Sequence, residues 1–146
     1  MRRILICILM FALCSVACAG PKEEAVSVVD KWTNAFSASD VDGILKLYAP
    51  DATFFGTSSK TLVSDPAGIR AYFEKALLTD RPRSAVLGER SVSVLSKKAV
   101  VVAGLDTITG VKDGKTYSLY GRVTFVIAKR GNAWQIVHFH RSAIPN

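Results

Sequence analysis

The sequence has little of the chemistry that metal sites and thiol enzymes require. Its three cysteines, Cys7, Cys14 and Cys18, lie in the first eighteen residues, and its two histidines are His138 and His140. The rest of the chain therefore has no thiol for a disulfide framework, a thiolate zinc site or a cysteine nucleophile. The Gly-x-Ser-x-Gly elbow of hydrolases is missing, as are the glycine-rich loop and the His-Arg-Asp loop of kinases. We expect no kinase activity and no cofactor.

The N-terminal segment has the layout of an export signal. Two arginines precede the apolar run 4–13, and small residues follow as far as Ala19. The run is shorter than the ~20 apolar residues of a membrane span. We expect residues 1–19 to be a signal peptide cleaved after Ala19, giving a periplasmic or secreted protein. The alternative is a lipoprotein anchored through a lipid on Cys18, which follows a partial lipobox.

The remaining residues, 20–146, have the length of one domain. Loss of the signal would remove two arginines and no acid, lowering the net charge from +7 to +5. The basic pairs Lys97-Lys98 and Lys129-Arg130 fall at predicted turns. Nucleic-acid binders instead cluster basic residues on one face or interleave them with aromatic residues. We therefore predict a single domain with no nucleic-acid partner.

Helical patterns precede strand patterns along the chain. A helix is predicted at 22–38, a short one after Ser39-Asp40, and another starting at Ser64-Asp65-Pro66. The predicted strands are 52–55, 85–95, 99–109, 116–128 and 133–142. The last four are separated by short turns, one of them the hairpin signal Asp113-Gly114. This order predicts an α+β domain in which the helices cover one face of an antiparallel meander.

The run 134–145, WQIVHFHRSAIP, is apolar on both faces of a strand. Alternation predicts one face with Trp134, Ile136, His138 and His140 and the other with Gln135, Val137, Phe139 and Arg141. An apolar face that no helix covers indicates an interface, so we expect a homodimer or a higher homo-oligomer. The two histidines have the spacing of zinc ligands, but no third ligand is evident. We interpret them as hydrogen-bonded interface or core residues and expect no metal site.

Three charged residues lie inside apolar strands, namely Asp106, Arg122 and Arg141. In a meander they are expected to converge on the face beneath the helices. One interpretation is a pocket that binds a small anionic ligand through an arginine pair or an Asp–Arg dyad. The other is a structural salt bridge. The tyrosines expected at the pocket mouth or interior are Tyr48, Tyr72 and Tyr120.

The terminal run closely resembles the end of the calcium/calmodulin-dependent protein kinase II association domain, of the nuclear-transport-factor-2-like, or SnoaL-like, superfamily. Three further stretches, 47–55 (LYAPDATFF), 69–77 (IRAYFEKAL) and 121–134 (GRVTFVIAKRGNAW), are similar to that superfamily and to SgcJ/EcaC-type bacterial proteins. The resemblance covers roughly residues 25–145. It implies a cone-shaped curved sheet wrapped around the helices, a pocket between them, and often a dimer. It also implies that Arg141 is a pocket arginine.

These features favour an exported small-molecule-binding or homo-oligomeric assembly module that resembles the association domain. One alternative is a SnoaL-like small-molecule enzyme, such as an isomerase, cyclase or hydratase, with Asp106 as candidate base and an arginine as its electrostatic partner. Another is a subunit that recruits a second exported protein. The face of Asp106 carries no second acid and no histidine, so no complete catalytic set is visible. The binding module is therefore the preferred interpretation.

Overall fold

The structure, a computed structural model, describes residues 19–145. The elements in chain order are α1 (Pro21–Ser37), α2 (Val41–Leu45), β1 (Tyr48–Phe55), α3 (Pro66–Leu77), β2 (Ser84–Ser96), β3 (Ala99–Lys112), β4 (Lys115–Arg130) and β5 (Ala133–Ala143). The predicted helices and strands are confirmed, although β1 begins at Tyr48 rather than at residue 52. The predicted signal peptide lies, apart from Ala19, outside the described residues. Within 19–145 no helix has the length and hydrophobicity of a membrane span.

Local sequence signals set the ends of these elements. The side chains of Asp40 and Asp65 each accept a hydrogen bond at 2.8 Å from the backbone N–H three residues later, which caps α2 and α3. The turn between β3 and β4 consists of Asp113 and Gly114, with φ of 50° and 73°. Positive φ at both positions is typical of two-residue hairpins whose twist matches that of the strands.

The strands form one curved, open sheet with the order β1-β5-β4-β3-β2. Strands β2 to β5 make the predicted antiparallel meander. Strand β1 adds at the β5 edge and runs parallel to it, which the sequence did not predict. The helices lie against one side of the sheet, here called the inner face, and the opposite side is the outer face. The α+β architecture with helices inside a curved sheet is confirmed.

The core between α1 and the inner face is rich in aromatic rings. The ring of Trp32 lies 5.3 Å, centroid to centroid, from Phe125 on β4 and 5.3 Å from Phe139 on β5. Phe54 on β1 stacks on Phe139 at 5.1 Å. All four side chains are at most 2% exposed, and burial of each contributes roughly 1.5–3 kcal/mol. The rings fix α1 against the middle of the sheet.

A β-bulge at Val137 changes the face of the first part of β5. Ile136 pairs with Ile127 and His138 pairs with Val126, so one extra residue is inserted in β5. Ile136 is 0% exposed and belongs to the core beneath the helices. The prediction that Ile136 shares a face with His138 is therefore wrong, because a bulge interrupts strict alternation. Trp134 also packs against this core.

Candidate functional site

A cavity of about 290 Å³ lies between α1, α3 and the inner face of the sheet. The two helices contribute aromatic and apolar walls, the strands close the floor, and the segments after β1 and α3 form the rim. The lining side chains are those of Trp32, Phe36, Thr57, Ser58, Tyr72, Phe73, Lys75, Ala76, Thr79, Arg83, Ile108, Leu119, Phe139 and Arg141. The lining thus combines five aromatic rings with three cationic side chains, and it contains no carboxylate.

The most constrained polar group of the lining is the guanidinium of Arg141. Its Nε donates to both carboxylate oxygens of Asp106, at 3.0 and 2.7 Å. Nη1 donates to Thr57 Oγ1 at 2.7 Å, and Nη2 donates to the carbonyl oxygen of Leu119 at 2.9 Å. The side chains of Arg141 and Asp106 are 7% and 0% exposed. We call these two residues the buried ion pair; its contacts on three sides fix the direction of the guanidinium.

Strand β4 makes room for this ion pair with a glycine. A Cβ atom added at Gly121 would lie 2.5 Å from Arg141 Nη2 and 2.5 Å from Asp106 Oδ1. Both distances are well below van der Waals contact, so a side chain at this position would displace the charged groups. Gly121 pairs with Asp106 across the β3–β4 ladder, which explains the close approach.

A second guanidinium at the cavity, that of Arg83, was not anticipated from the sequence. Its Nη1 donates a short hydrogen bond to Tyr117 Oη, and the Tyr117 hydroxyl donates to Asp80 Oδ2 at 3.0 Å. Burial, followed by the bond to Asp80, raises the pKa of Tyr117. Arg83 Nε is buried and has no acceptor within the described chain. Alternation from the inner-face residue Ala85 back to Arg83 was the signal that could have identified this residue.

Four of the six predicted site residues lie on the inner side of the sheet or in the helices beneath it. Arg141 and Tyr72 line the cavity. Asp106 is on the inner face, as predicted, but it lies behind Arg141 and does not line the cavity. Tyr48 lies in the core outside the cavity lining, where its hydroxyl accepts a hydrogen bond from Trp32 Nε1 at 3.1 Å. Burial raises the pKa of Tyr48 well above its usual value.

The other two predicted residues, Arg122 and Tyr120, are on the outer face. Arg122 is exposed, and its guanidinium donates to Ser142 Oγ on the neighbouring strand at 3.1 and 3.3 Å. Tyr120 is 62% exposed. The prediction that Arg122 meets Arg141 on the inner face is wrong, because Arg141 pairs with Val123 and Arg122 points the opposite way. Both faces of β4 are apolar in this region, so the sequence pattern did not distinguish them.

The two histidines lie on the outer face near the β1 edge. His138 Nδ1 is 2.7 Å from Thr53 Oγ1, and the ring of His140 lies 6.0 Å from that of Phe55. Burial and the neighbouring His140 lower the pKa of His138. Among residues 19–145, no group of three or more histidine, cysteine, aspartate or glutamate side chains is arranged to hold a metal ion.

Comparison with known proteins relates this geometry to two sets of relatives. The chain is 28% identical over 125 residues to the calcium/calmodulin-dependent protein kinase type II alpha chain of Drosophila melanogaster, covering 84% of this chain but 24% of the kinase. It therefore spans about a quarter of the length of that relative. A solved protein from Xanthomonas campestris, described as a kinase II association domain, is 30% identical with a TM-score of 0.78, covering 88% of this chain and 94% of that chain.

More distant structures share the fold. A protein from Novosphingobium aromaticivorans described as a scytalone dehydratase has a TM-score of 0.74 at 10% identity, covering 84% of this chain and 83% of that chain. At that identity the likeness shows the architecture alone. The sequence profile of the SnoaL-like domain matches residues 26–146, which include most of α1, the other two helices, the sheet and every residue of the cavity. The chain therefore belongs to the SnoaL-like domain family.

Proposed function

We propose that this domain is a non-catalytic small-molecule-binding module whose cavity takes a small, largely apolar carboxylate. The observation that carries this proposal is the guanidinium of Arg141 at the cavity wall. Three of its five N–H groups have partners in the described chain, which leaves two for an acceptor that enters. Because Asp106 and Thr57 hold the group in place, a carboxylate would meet donors that are already oriented, which reduces the entropy lost on binding.

The apolar part of the lining indicates the remainder of the ligand. Rings of Trp32, Phe73 and Phe139 form the cavity walls, with Tyr72 and Phe36 beside them. An apolar cavity of about 150 Å³ is enough to hold benzene. The cavity of about 290 Å³ therefore has room for a single ring with one or two substituents. Rings stack or meet edge to face with aromatic side chains, which favours an aromatic or similarly flat ligand.

Binding without chemistry fits the lining better than the SnoaL-like enzyme alternative. A hydratase or isomerase needs a general base within hydrogen-bond reach of its substrate. The candidate base, Asp106, has a side chain that is 0% exposed, and both of its oxygens accept from Arg141. The cavity lining contains no carboxylate and no histidine.

The binding proposal is tested by titrating benzoate into the protein and measuring heat. We expect saturable binding by the wild-type protein and at least about tenfold weaker binding by the double variant Arg141→Gln/Asp106→Asn, which removes both charges together. Arg122→Gln removes an arginine from the outer face and serves as the matched control, with unchanged affinity. Absence of benzoate binding by the folded wild-type protein at millimolar concentration would refute the proposal, and so would equal binding by the double variant.

We also propose that the domain associates with itself through the outer face. The helices leave this face uncovered, and it carries the exposed apolar side chains of Val86, Leu105 and Tyr120. Exposed apolar surface of this kind, joined across neighbouring strands, is typical of interfaces. The likeness to an association domain supports the same arrangement, and export as proposed from the N-terminal sequence would place the assembly outside the cytoplasm.

A further inference from the structure

The two guanidiniums of the cavity differ in whether a carboxylate neutralises their positive charge. Arg141 has Asp106 in direct contact, whereas Arg83 has no carboxylate oxygen within 4.0 Å among residues 19–145. Asp80 is linked to Arg83 only through the hydroxyl of Tyr117. A half-buried guanidinium without a direct counter-ion is costly, because its desolvation is not offset by a charged partner.

Arg83 also lacks hydrogen-bond acceptors for most of its N–H donors. One of its five N–H donors, on Nη1, has an acceptor in the described chain. Nε is buried by protein atoms and has none. Buried polar groups in folded proteins nearly always have a partner, and an exception requires an explanation. Nη1 and Nη2 keep three further N–H donors without an acceptor in the described chain, and because Arg83 lines the same cavity as Arg141, a ligand with a second acidic group would meet these donors.

Both guanidiniums are anchored on the same strand. Arg141 is anchored to the carbonyl of Leu119, and Arg83 is anchored to the side chain of Tyr117. These two residues are both on the inner face of β4 and are two positions apart, so their Cα atoms are about 7 Å apart along the strand. Because both arginines line one cavity of about 290 Å³, a single six-membered ring with acidic groups on non-adjacent carbons is of a size to meet both.

We propose that the cavity selects aromatic dicarboxylates over monocarboxylates, with one carboxylate on Arg141 and the second on Arg83. Arginine binds a carboxylate through paired N–H donors, which gives both affinity and direction. Lys75, exposed at the mouth of the cavity, adds positive charge without a fixed geometry. This inference rests on the proposed function, because it assigns the second half of the ligand for the same cavity.

The test compares isophthalate with benzoate by calorimetry on three proteins: the wild type, Arg83→Gln and Arg81→Gln. Arg81 is the matched control, since it is exposed, lies in the same segment and does not line the cavity. We expect wild-type protein to bind isophthalate at least about tenfold more tightly than benzoate, a preference that one additional charged hydrogen-bonded pair supplies. Arg83→Gln should abolish this preference, weakening isophthalate binding about tenfold more than it weakens benzoate binding. Arg81→Gln should keep the preference.

Equal affinity of the wild-type protein for the two acids would overturn this inference while leaving the monocarboxylate site intact. Parallel weakening of both acids in Arg83→Gln would also overturn it, because it would indicate that Arg83 only shapes the cavity. Failure of both acids to bind the folded wild-type protein would instead refute the proposed function itself. If Arg83→Gln does not fold, Arg83→Lys keeps the charge without the paired donors, and a loss of at least about threefold in the isophthalate preference is then expected.

Discussion

The buried ion pair makes a quantitative prediction about stability. Replacing Arg141 by methionine leaves the carboxylate of Asp106 with a side chain that is 0% exposed and no cationic partner. Breaking a fully buried pair from one side costs about 3–5 kcal/mol. Domains of this size have a free energy of unfolding of about 5–15 kcal/mol, so the variant should still fold but with a much lower free energy of unfolding. At about 3–6 °C per kcal/mol, the melting temperature should fall by roughly 10–30 °C.

The effects of substitutions at Arg141 and Asp106 on the free energy of unfolding should be strongly coupled. In the double variant Arg141→Met/Asp106→Leu, both charges are replaced by apolar groups, a change that is often close to neutral in buried pairs. Urea unfolding followed by circular dichroism should therefore show a smaller loss for the double variant than for Arg141→Met. The coupling energy should be at least about 2 kcal/mol.

An exposed ion pair provides the matched control. Arg130 donates to Asp51 at 3.1 Å, with side chains 49% and 68% exposed. Arg130→Met should cost less than about 1 kcal/mol, since water and salt screen such a pair. The account of the buried ion pair would be refuted if Arg141→Met lowered the free energy of unfolding no more than Arg130→Met. It would also be refuted if the losses of the single variants Arg141→Met and Asp106→Leu simply added in the double variant.

Three further predictions follow from the fold and the N-terminal sequence. Gly121→Ala should push the buried ion pair apart and lower the free energy of unfolding, measured in urea, by at least about 2 kcal/mol. Gly88→Ala is the control, because its Cβ would be 3.7 Å from its nearest neighbour, and it should cost under about 1 kcal/mol. Equal losses in the two variants would contradict the packing described around Gly121. Val126→Glu places a charge on the outer face and should convert the proposed dimer to a monomer, as measured by light scattering. A monomeric wild-type protein, or a variant that remains dimeric, would contradict the proposed interface. Export predicts an intact mass that lacks residues 1–19, or a lipid-modified Cys18, and a secreted or cytoplasmic product that retains the whole segment would contradict it.

The sequence predicted that Asp106 and Arg141 meet, together with Arg122, because these residues interrupt apolar strands, where an unpaired charge is too costly to bury. Their places on the inner face follow from alternation with Val102 and Phe139, which the structure confirms. Arg122 also interrupts an apolar strand, but the outer face is itself apolar, so periodicity left two equivalent choices. The cross-strand register, which depends on tertiary contacts, decides between them.

The remaining discrepancies have similarly local causes. The bulge at Val137 has no sequence signal such as a glycine, and it moved Ile136 into the core. Arg83 follows Pro82 and looks like a turn residue, yet it starts the inner-face row that continues with Ala85. The parallel pairing of β1 with β5 joins the two ends of the domain's sequence, and strand patterns alone do not specify such a long-range contact.

The most direct test of the proposed function is a crystal structure of the wild-type protein grown with benzoate. The account predicts the carboxylate within hydrogen-bond distance of the Arg141 guanidinium and the ring against Phe139 and Phe73, inside the cavity. The pairing of Arg141 with Asp106 should be retained. Benzoate bound elsewhere, or a cavity that stays free of benzoate at saturating concentration, would contradict the central claim.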